Sequence, residues 1–169
     1  VTYSGETTKV LIDGEETCPD FVYPNHGDWD FARARLDPDM LEVLGQQLEN
    51  FADPLVRAML WQGVWEMVLE ARLKPTEYID FVLMNLAQEL DDSVVRQVLG
   101  TLEDSLSYLV RLDSAFTHLA EFGPSIESFL WEQILESPPG SDRRVFMFDQ
   151  YVESVSSLDG AERLTAVLR

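Results

Sequence analysis

The sequence is poor in cysteine and in basic residues, and each shortage excludes a class of protein. Cys18 is the single cysteine among 169 residues, so no internal disulfide can form and a reducing, cytoplasmic location is expected. Twelve lysines and arginines stand against 31 aspartates and glutamates, which gives a formal net charge of -19. Nucleic acids and anionic membranes both require a basic face, so we expect neither as a partner. No apolar run approaches the roughly 18 residues of a membrane-spanning helix.

The motifs of the common hydrolases are also missing. His26 and His118 are the two histidines, and neither belongs to an H-E-x-x-H zinc motif. A zinc site made of His26 and Cys18 with Asp20 or Asp28 has no supporting spacing, and His118 is expected on a helix face near solvent. The chain contains no G-x-S-x-G turn and no glycine-rich phosphate loop. We therefore predict no catalytic residue, no metal ligand and no cofactor-binding residue in this chain.

One acidic stretch is spaced like part of a calcium-binding loop. Asn25, Asp28 and Asp30 have that spacing, but the rest of the motif is absent, including the glutamate that closes it. Such side chains also form turns by hydrogen bonding to their own backbone. A turn is therefore the interpretation that we favour for this stretch.

Two arginine pairs could bind an anion. Arg33 and Arg35 share one face of a predicted strand, where together they could hold a carboxylate. The protein's own abundant acidic residues are their expected partners. Arg143 and Arg144 stand near the start of a predicted helix, and we expect both to be solvated at the surface.

The first 36 residues differ in pattern from the remainder. Residues 8–12 and 21–23 are short apolar segments bounded by turn residues, and residues 30–36 alternate apolar and polar side chains. Three short strands cannot bury a core alone. They form either an edge packed on helices or the last strands of a β-sandwich whose earlier strands are missing.

From residue 37 onward the pattern predicts eight helices. The clearest runs from Asp53, a good N-cap followed by Pro54, to Leu73, and its apolar surface is wide enough for burial on two sides. Gly123-Pro124 is expected to end a short fifth helix and to start a sixth. The other helices are expected to begin near Pro38, Pro75, Asp91, Asp113, Ser141 and Asp159. Short connections and about 35–45 residues per helical pair are typical of an antiparallel α-solenoid with HEAT-like pairs.

Tryptophan and methionine side chains concentrate in the helical part. Trp61, Trp65 and Trp131, with Met59 and Met67, could line an apolar groove for a peptide. At helical spacing such residues more often belong to the core, and a core role is our prediction.

Three segments resemble the C-terminal part of the bacterial aminopeptidase N family, which are zinc-dependent metalloaminopeptidases of the gluzincin type. They are Pro19–Asp37 (PDFVYPNHGDWDFARARLD), Asp53–Val68 (DPLVRAMLWQGVWEMV) and the helix start Pro139–Asp142 (PGSD). The similarity covers nearly the whole chain, in order and at plausible spacing. These segments are structural signatures, since none of them is a catalytic motif.

The resemblance implies a domain organisation and a role. Residues 1–36 would be the terminal strands of a β-sandwich-like domain, and residues 37–169 would be the first part of a helical HEAT-like C-terminal domain. The family's zinc ligands and catalytic residues have no matching positions in this sequence. Zinc would belong to the parent enzyme, a hydrolase that removes N-terminal residues from peptides, using residues that precede Val1.

We therefore expect a non-catalytic fragment of a longer polypeptide, inactive alone, that encloses the active-site chamber and limits substrate access. Its partners would be the catalytic domain of the same polypeptide and the peptide substrate. The alternative is a helical-repeat scaffold for protein interactions, without enzymatic activity.

Overall fold

The computed structural model describes residues 22–23, 25, 34–37, 39–112 and 117–167, and this part of the chain is mainly helical. Short 3-10 turns extend the first and third helices. The seven α-helices of the described part are α1 (Met40–Gln47), α2 (Pro54–Leu69), α3 (Pro75–Asn85), α4 (Asp92–Leu112), α5 (Thr117–Glu136), α6 (Asp142–Ser154) and α7 (Leu158–Val167). The predicted strands fall mostly outside the described residues, and residues 22–23 and 34–36 are not in a strand.

Helix α2 begins as its sequence predicts. The side chain of Asp53 accepts a hydrogen bond of 2.9 Å from the amide of Leu55, and Pro54 occupies the first helical position, where its missing N–H is not needed. The helix is buried on more than one side, as predicted. Its buried residues are Val56, Leu60, Trp61, Gly63, Val64, Trp65, Met67 and Val68.

Helix α2 ends in a left-handed residue that is not glycine. Ala71 has a φ of 56°, and its amide donates to the carbonyl of Val68 at 3.0 Å. The next amide, of Arg72, donates to the carbonyl of Met67 at 2.8 Å. These two bonds are those of a Schellman motif, which satisfies the last carbonyls of a helix.

Helix α4 is the most amphipathic element and lies at the centre of the packing. It contacts α2, α3, α5 and α6, and the most extensive packing is that of α3 on α4 and of α5 on α6. Its apolar stripe is buried, apart from half-buried Leu106. The stripe residues that are buried are Val94, Val95, Val98, Leu102 and Leu109.

The predicted break at Gly123-Pro124 is wrong, because α5 continues through both residues. Pro124 is exposed, and so is Ala120, the residue whose carbonyl loses its helical partner when proline has no N–H. Water can therefore satisfy that carbonyl. Gly123 and Ile126 on the other side of the helix are buried, and their packing stabilises the continuous helix. The predicted start near Asp113 lies outside the described residues.

Aromatic contacts join α2 to α3. Trp61 meets Phe81 edge-on with ring centroids 5.3 Å apart, and Trp65 lies 5.1 Å from Tyr78. Burial raises the pKa of Tyr78, whose hydroxyl is hydrogen-bonded to Thr101. This phenol is therefore a neutral core group.

Candidate functional site

Among the described residues, the most buried ion pair joins the start of α2 to the connection between α3 and α4. The Arg57 guanidinium donates to both carboxylate oxygens of Glu89, at 2.8–3.1 Å, and to the carbonyl oxygens of Phe51 at 2.6 Å and Ala52 at 3.1 Å. Only 2% of the Glu89 side chain is exposed. The hydrogen bond to Glu89 raises the pKa of Arg57, so the guanidinium keeps its positive charge.

Helix α6 joins the same cluster through Arg143. Its Nη1 donates to the carbonyl of Glu89 at 2.9 Å, and its Nε donates to Oδ1 of Asp92 at 2.7 Å. The expectation that Arg143 is solvated at the surface is therefore wrong for this residue. Two carboxylates, the backbone carbonyl of Glu89 and two guanidinium groups fix α2, α4 and α6 to one another, which is a structural arrangement.

A second buried carboxylate holds α7. Glu127 on α5 is 2% exposed, and its Oε1 accepts hydrogen bonds from the amides of Ser156 and Ser157 at 2.7 and 2.9 Å. Both serine hydroxyls also donate to this carboxylate. Burial alone would raise the pKa of Glu127, but these hydrogen bonds together outweigh burial and lower it.

Sequence reasoning did not find Glu127, although a signal for it exists. Glu127 precedes Leu130 by three residues and Ile134 by seven, so it lies on the core side of α5. A carboxylate at such a position needs buried donors. The donors come from the connection after α6, which the sequence of α5 cannot show.

An apolar cleft of about 440 Å³ opens between α5, α6 and the end of α7. Among the described residues, two charged side chains line it, those of Arg144 and Asp149. Its other lining residues are Trp131, Ile134, Leu135, Gly140, Val145, Phe148 and Val167. A concave surface of this composition is suited to an apolar side chain or to a helix.

The prediction that the tryptophan and methionine side chains belong to the core is confirmed for three residues of α2. Trp61, Trp65 and Met67 are at most 5% exposed and belong to the core. Trp131 is partly buried and lines the apolar cleft, while Met59 lines a second cleft of about 470 Å³ beside Tyr23 and Ala34.

Other residues singled out from the sequence also have structural roles. Arg35 pairs with Glu70 at 3.1 Å, which confirms that its partner is one of the protein's own acids, while Arg33 lies outside the described residues. His118 is near solvent on α5, as predicted, with 43% of its side chain exposed and its Nδ1 3.6 Å from the carboxylate of Glu121.

Within the described part of the chain, no three histidine, cysteine, aspartate or glutamate side chains converge in a group that could hold a metal ion. Asn25 is buried in a turn. Outside the described residues lie the candidate zinc and calcium ligands Cys18, Asp20, His26, Asp28 and Asp30. None of the helices in the described part is both long enough and apolar enough to cross a membrane.

Comparison with known proteins agrees with the sequence resemblance. A family model described as the ERAP1-like C-terminal domain matches residues 21–159, which include α1 to α6. The chain is also 25% identical over 178 residues to an aminopeptidase N of Streptomyces lividans, and the match covers 92% of this chain and 21% of that protein. The chain therefore spans about a fifth of the length of this relative. With most of its length matched by the family model, the chain belongs to the ERAP1-like C-terminal domain family.

Proposed function

We propose that this chain is a non-catalytic part of a zinc-dependent aminopeptidase that removes N-terminal residues from peptides. The observation that carries the proposal is the family match over residues 21–159, supported by similarity to a protein named aminopeptidase N. That relative is about five times as long as the matched segment. The zinc ion, which activates water for peptide hydrolysis in such enzymes, would be held by the rest of the polypeptide.

Within this proposal the chain has two parts. Residues 1–36 are the end of a β-sandwich-like domain, and residues 37–169 form the beginning of a HEAT-like helical domain. The extensive packing of α3 on α4 and of α5 on α6 supports an arrangement of successive helical pairs.

The proposed role is to enclose the active-site chamber and to limit which peptides enter it. A wall of this kind must keep its shape, and the buried contacts of Glu89 with Arg57 and Arg143 connect three helices in a fixed arrangement. The partners are the catalytic domain of the same polypeptide and the peptide substrate. We place the protein in the cytoplasm, with neither nucleic acid nor membrane as a partner, because of the net charge of -19 and the single cysteine.

Two measurements test the absence of catalysis in this chain. The purified chain should contain less than about 0.1 zinc per molecule by elemental analysis and should not cleave aminoacyl-anilides. The gene of the parent protein should encode an H-E-x-x-H motif before the position of Val1. Stoichiometric zinc with turnover, or a parent without that motif, would contradict the proposal.

The chamber role has a separate test in the parent enzyme. Glu89→Gln should loosen the helical wall, so the ratio of kcat/KM for a peptide of about 15 residues to that for an aminoacyl-anilide should change at least threefold. Glu103→Gln, at an exposed position of α4, is the matched control and should leave the ratio unchanged. An unchanged ratio in Glu89→Gln, with the expected loss of stability, contradicts a role in limiting access.

The apolar cleft favours one alternative, a helical-repeat scaffold that binds another protein without enzymatic activity. Leu135 and Val145, which line the same cleft, are 61% and 57% exposed, and apolar residues exposed together in a patch are typical of an interaction site. A gene that encodes this chain alone, without a catalytic domain, would favour the scaffold over the aminopeptidase.

A further inference from the structure

The outward face of α6 carries the pattern of a helix that pairs with another helix. Phe146, Met147 and Tyr151 face the core and are buried. On the opposite side, Val145 and Val152 are 57% and 48% exposed and stand seven residues apart. With half-buried Phe148 between them, their spacing of three and four residues is that of positions a and d in a heptad.

Charged residues flank this apolar stripe at the two positions that matter in paired helices. Arg144 directly precedes Val145, which is position g, and Asp149 directly follows Phe148, which is position e. Among the described residues, neither charged side chain has a hydrogen-bond or ion-pair partner. The backbone amide of Arg144 is used by the helix cap at Ser141, but its guanidinium is not.

We propose that α6 is a self-association surface that pairs in parallel with α6 of a second copy of this chain. In a parallel pair, position g of one helix lies beside position e five residues further along the other helix. Arg144 of each copy therefore meets Asp149 of the second copy. Val145, Phe148 and Val152 of the two copies pack between these two ion pairs.

A second copy is the occupant because the charges are self-complementary in this geometry. A two-fold axis parallel to α6 repeats the Arg144–Asp149 contact on both sides, which makes the surface isologous. Exposed Leu135, which lines the same cleft from α5, extends the apolar contact. This interaction surface is independent of the aminopeptidase role proposed above.

Two effects make the contact between the two copies weak. One helix of 13 residues is about 20 Å long and offers an area at the small end for specific interfaces. The net charge of -19 on each copy adds long-range repulsion, which is screened beyond about 8 Å at 0.15 M salt. A weak, concentration-dependent dimer is therefore the form expected in solution.

Charge-swap variants of the full chain test the contact by sedimentation equilibrium in 0.15 M salt, at 10 µM to 1 mM protein. Arg144→Asp alone and Asp149→Arg alone each place like charges across both contacts, so each should raise the dimer Kd at least tenfold. The double variant restores two opposite-charge contacts and should return the Kd to within threefold of the unmodified chain. Arg111→Asp and Asp80→Arg make the same charge changes at exposed positions of α4 and α3 and should leave the Kd unchanged.

A cysteine placed in the stripe tests the parallel orientation. Val145→Cys in a Cys18→Ser background should form an intermolecular disulfide under mild oxidation, because equivalent a positions are adjacent in a parallel pair. A chain that is monomeric throughout this concentration range overturns the proposal. So do single charge swaps that leave the Kd unchanged in folded protein, or a double swap that fails to restore association.

Discussion

The carboxylate of Glu127 accepts a hydrogen bond of 2.7 Å from the backbone amide of Ser156, across 29 residues of sequence. This contact fixes the connection from which α7 starts. Gly160 is the one buried residue of α7 within its described range, and the space beside it is filled by the same carboxylate. The position of α7 therefore depends on this ionised side chain as well as on the hydrogen bond from the Tyr151 hydroxyl to the carbonyl of Gly160 and on the packing of Leu164 against the core.

Replacing Glu127 should loosen α7 in a pH-dependent way. Glu127→Gln keeps the volume but loses the charge, and hydrogen bonds to charged groups contribute about 1.5–3 kcal/mol, so we expect a loss of that size at pH 7. The folded state lowers the pKa of Glu127, so its contribution is complete above the pKa of the unfolded chain. It disappears as the pH falls through the lower pKa of the folded protein.

Urea unfolding of both proteins between pH 7 and pH 3 measures this difference. The gap in unfolding free energy between the unmodified chain and Glu127→Gln should shrink as the pH is lowered below about 4.5. Glu103→Gln, at an exposed position of α4, should show no such gap at any pH. A gap for Glu127→Gln that is constant with pH would show that the charge is not what holds α7.

Removing only one partner of the buried Arg57–Glu89 ion pair should strongly destabilise the protein. Arg57→Met leaves the Glu89 carboxylate buried without its main partner, so we expect a loss of about 3–5 kcal/mol by urea unfolding. The double variant Arg57→Met/Glu89→Gln should lose less than the sum of the two single variants, because the remaining groups are neutral. Lys74→Met removes the surface ion pair with Glu77, in which the two side chains are 77% and 49% exposed. It should lower the free energy of unfolding by less than about 1 kcal/mol.

Local signals in the sequence predict most helix starts but not the contacts between helices. Asp53 and Ser141 cap α2 and α6 as expected, because capping depends on residues within three positions of each other. The predicted break at Pro124 was wrong because the free-energy cost of proline inside a helix is outweighed by burial of the opposite face of α5. That burial depends on residues far away in sequence. The partners of Arg143 are about 50 residues away, so its role could not be derived from local pattern.

Substitution by alanine at two glycines should change the stability of the protein in opposite directions. A Cβ at Gly100, exposed on α4, would meet no atom within 4 Å, so Gly100→Ala should stabilise the protein by up to about 1 kcal/mol through helix propensity. A Cβ at Gly123 would lie 2.6 Å from Oγ of Ser156, so Gly123→Ala should destabilise it by about 1–3 kcal/mol. Thermal unfolding of the two variants measures both signs, and a common sign would contradict the packing of α5 against Ser156.

Replacing Ala71, the left-handed residue after α2, with glycine should stabilise the protein. Ala71 has a φ of 56°, a conformation that costs an L-residue with a Cβ about 1 kcal/mol or more. Glycine avoids that cost but loses more backbone entropy on folding, so Ala71→Gly should stabilise the chain by a few tenths to about 1 kcal/mol. Ala120→Gly, within α5, is the matched control and should destabilise by up to about 1 kcal/mol. A loss of stability in Ala71→Gly would contradict the Schellman geometry at this helix end.

Helix α2 allows its cap and its core to be tested separately. Asp53→Ala removes the acceptor of the Leu55 amide and should cost about 1 kcal/mol. Trp65→Ala empties a site where the indole is 5% exposed and contacts Tyr78, so it should cost about 3–5 kcal/mol. Asp80→Ala, at an exposed position inside α3, should change stability by less than about 0.5 kcal/mol. Urea unfolding orders the three variants, and a Trp65→Ala loss no larger than that of Asp53→Ala would show that this face of α2 is not the core. The contrast is informative because a cap acts within one turn, whereas Trp65 holds α2 against the neighbouring helix.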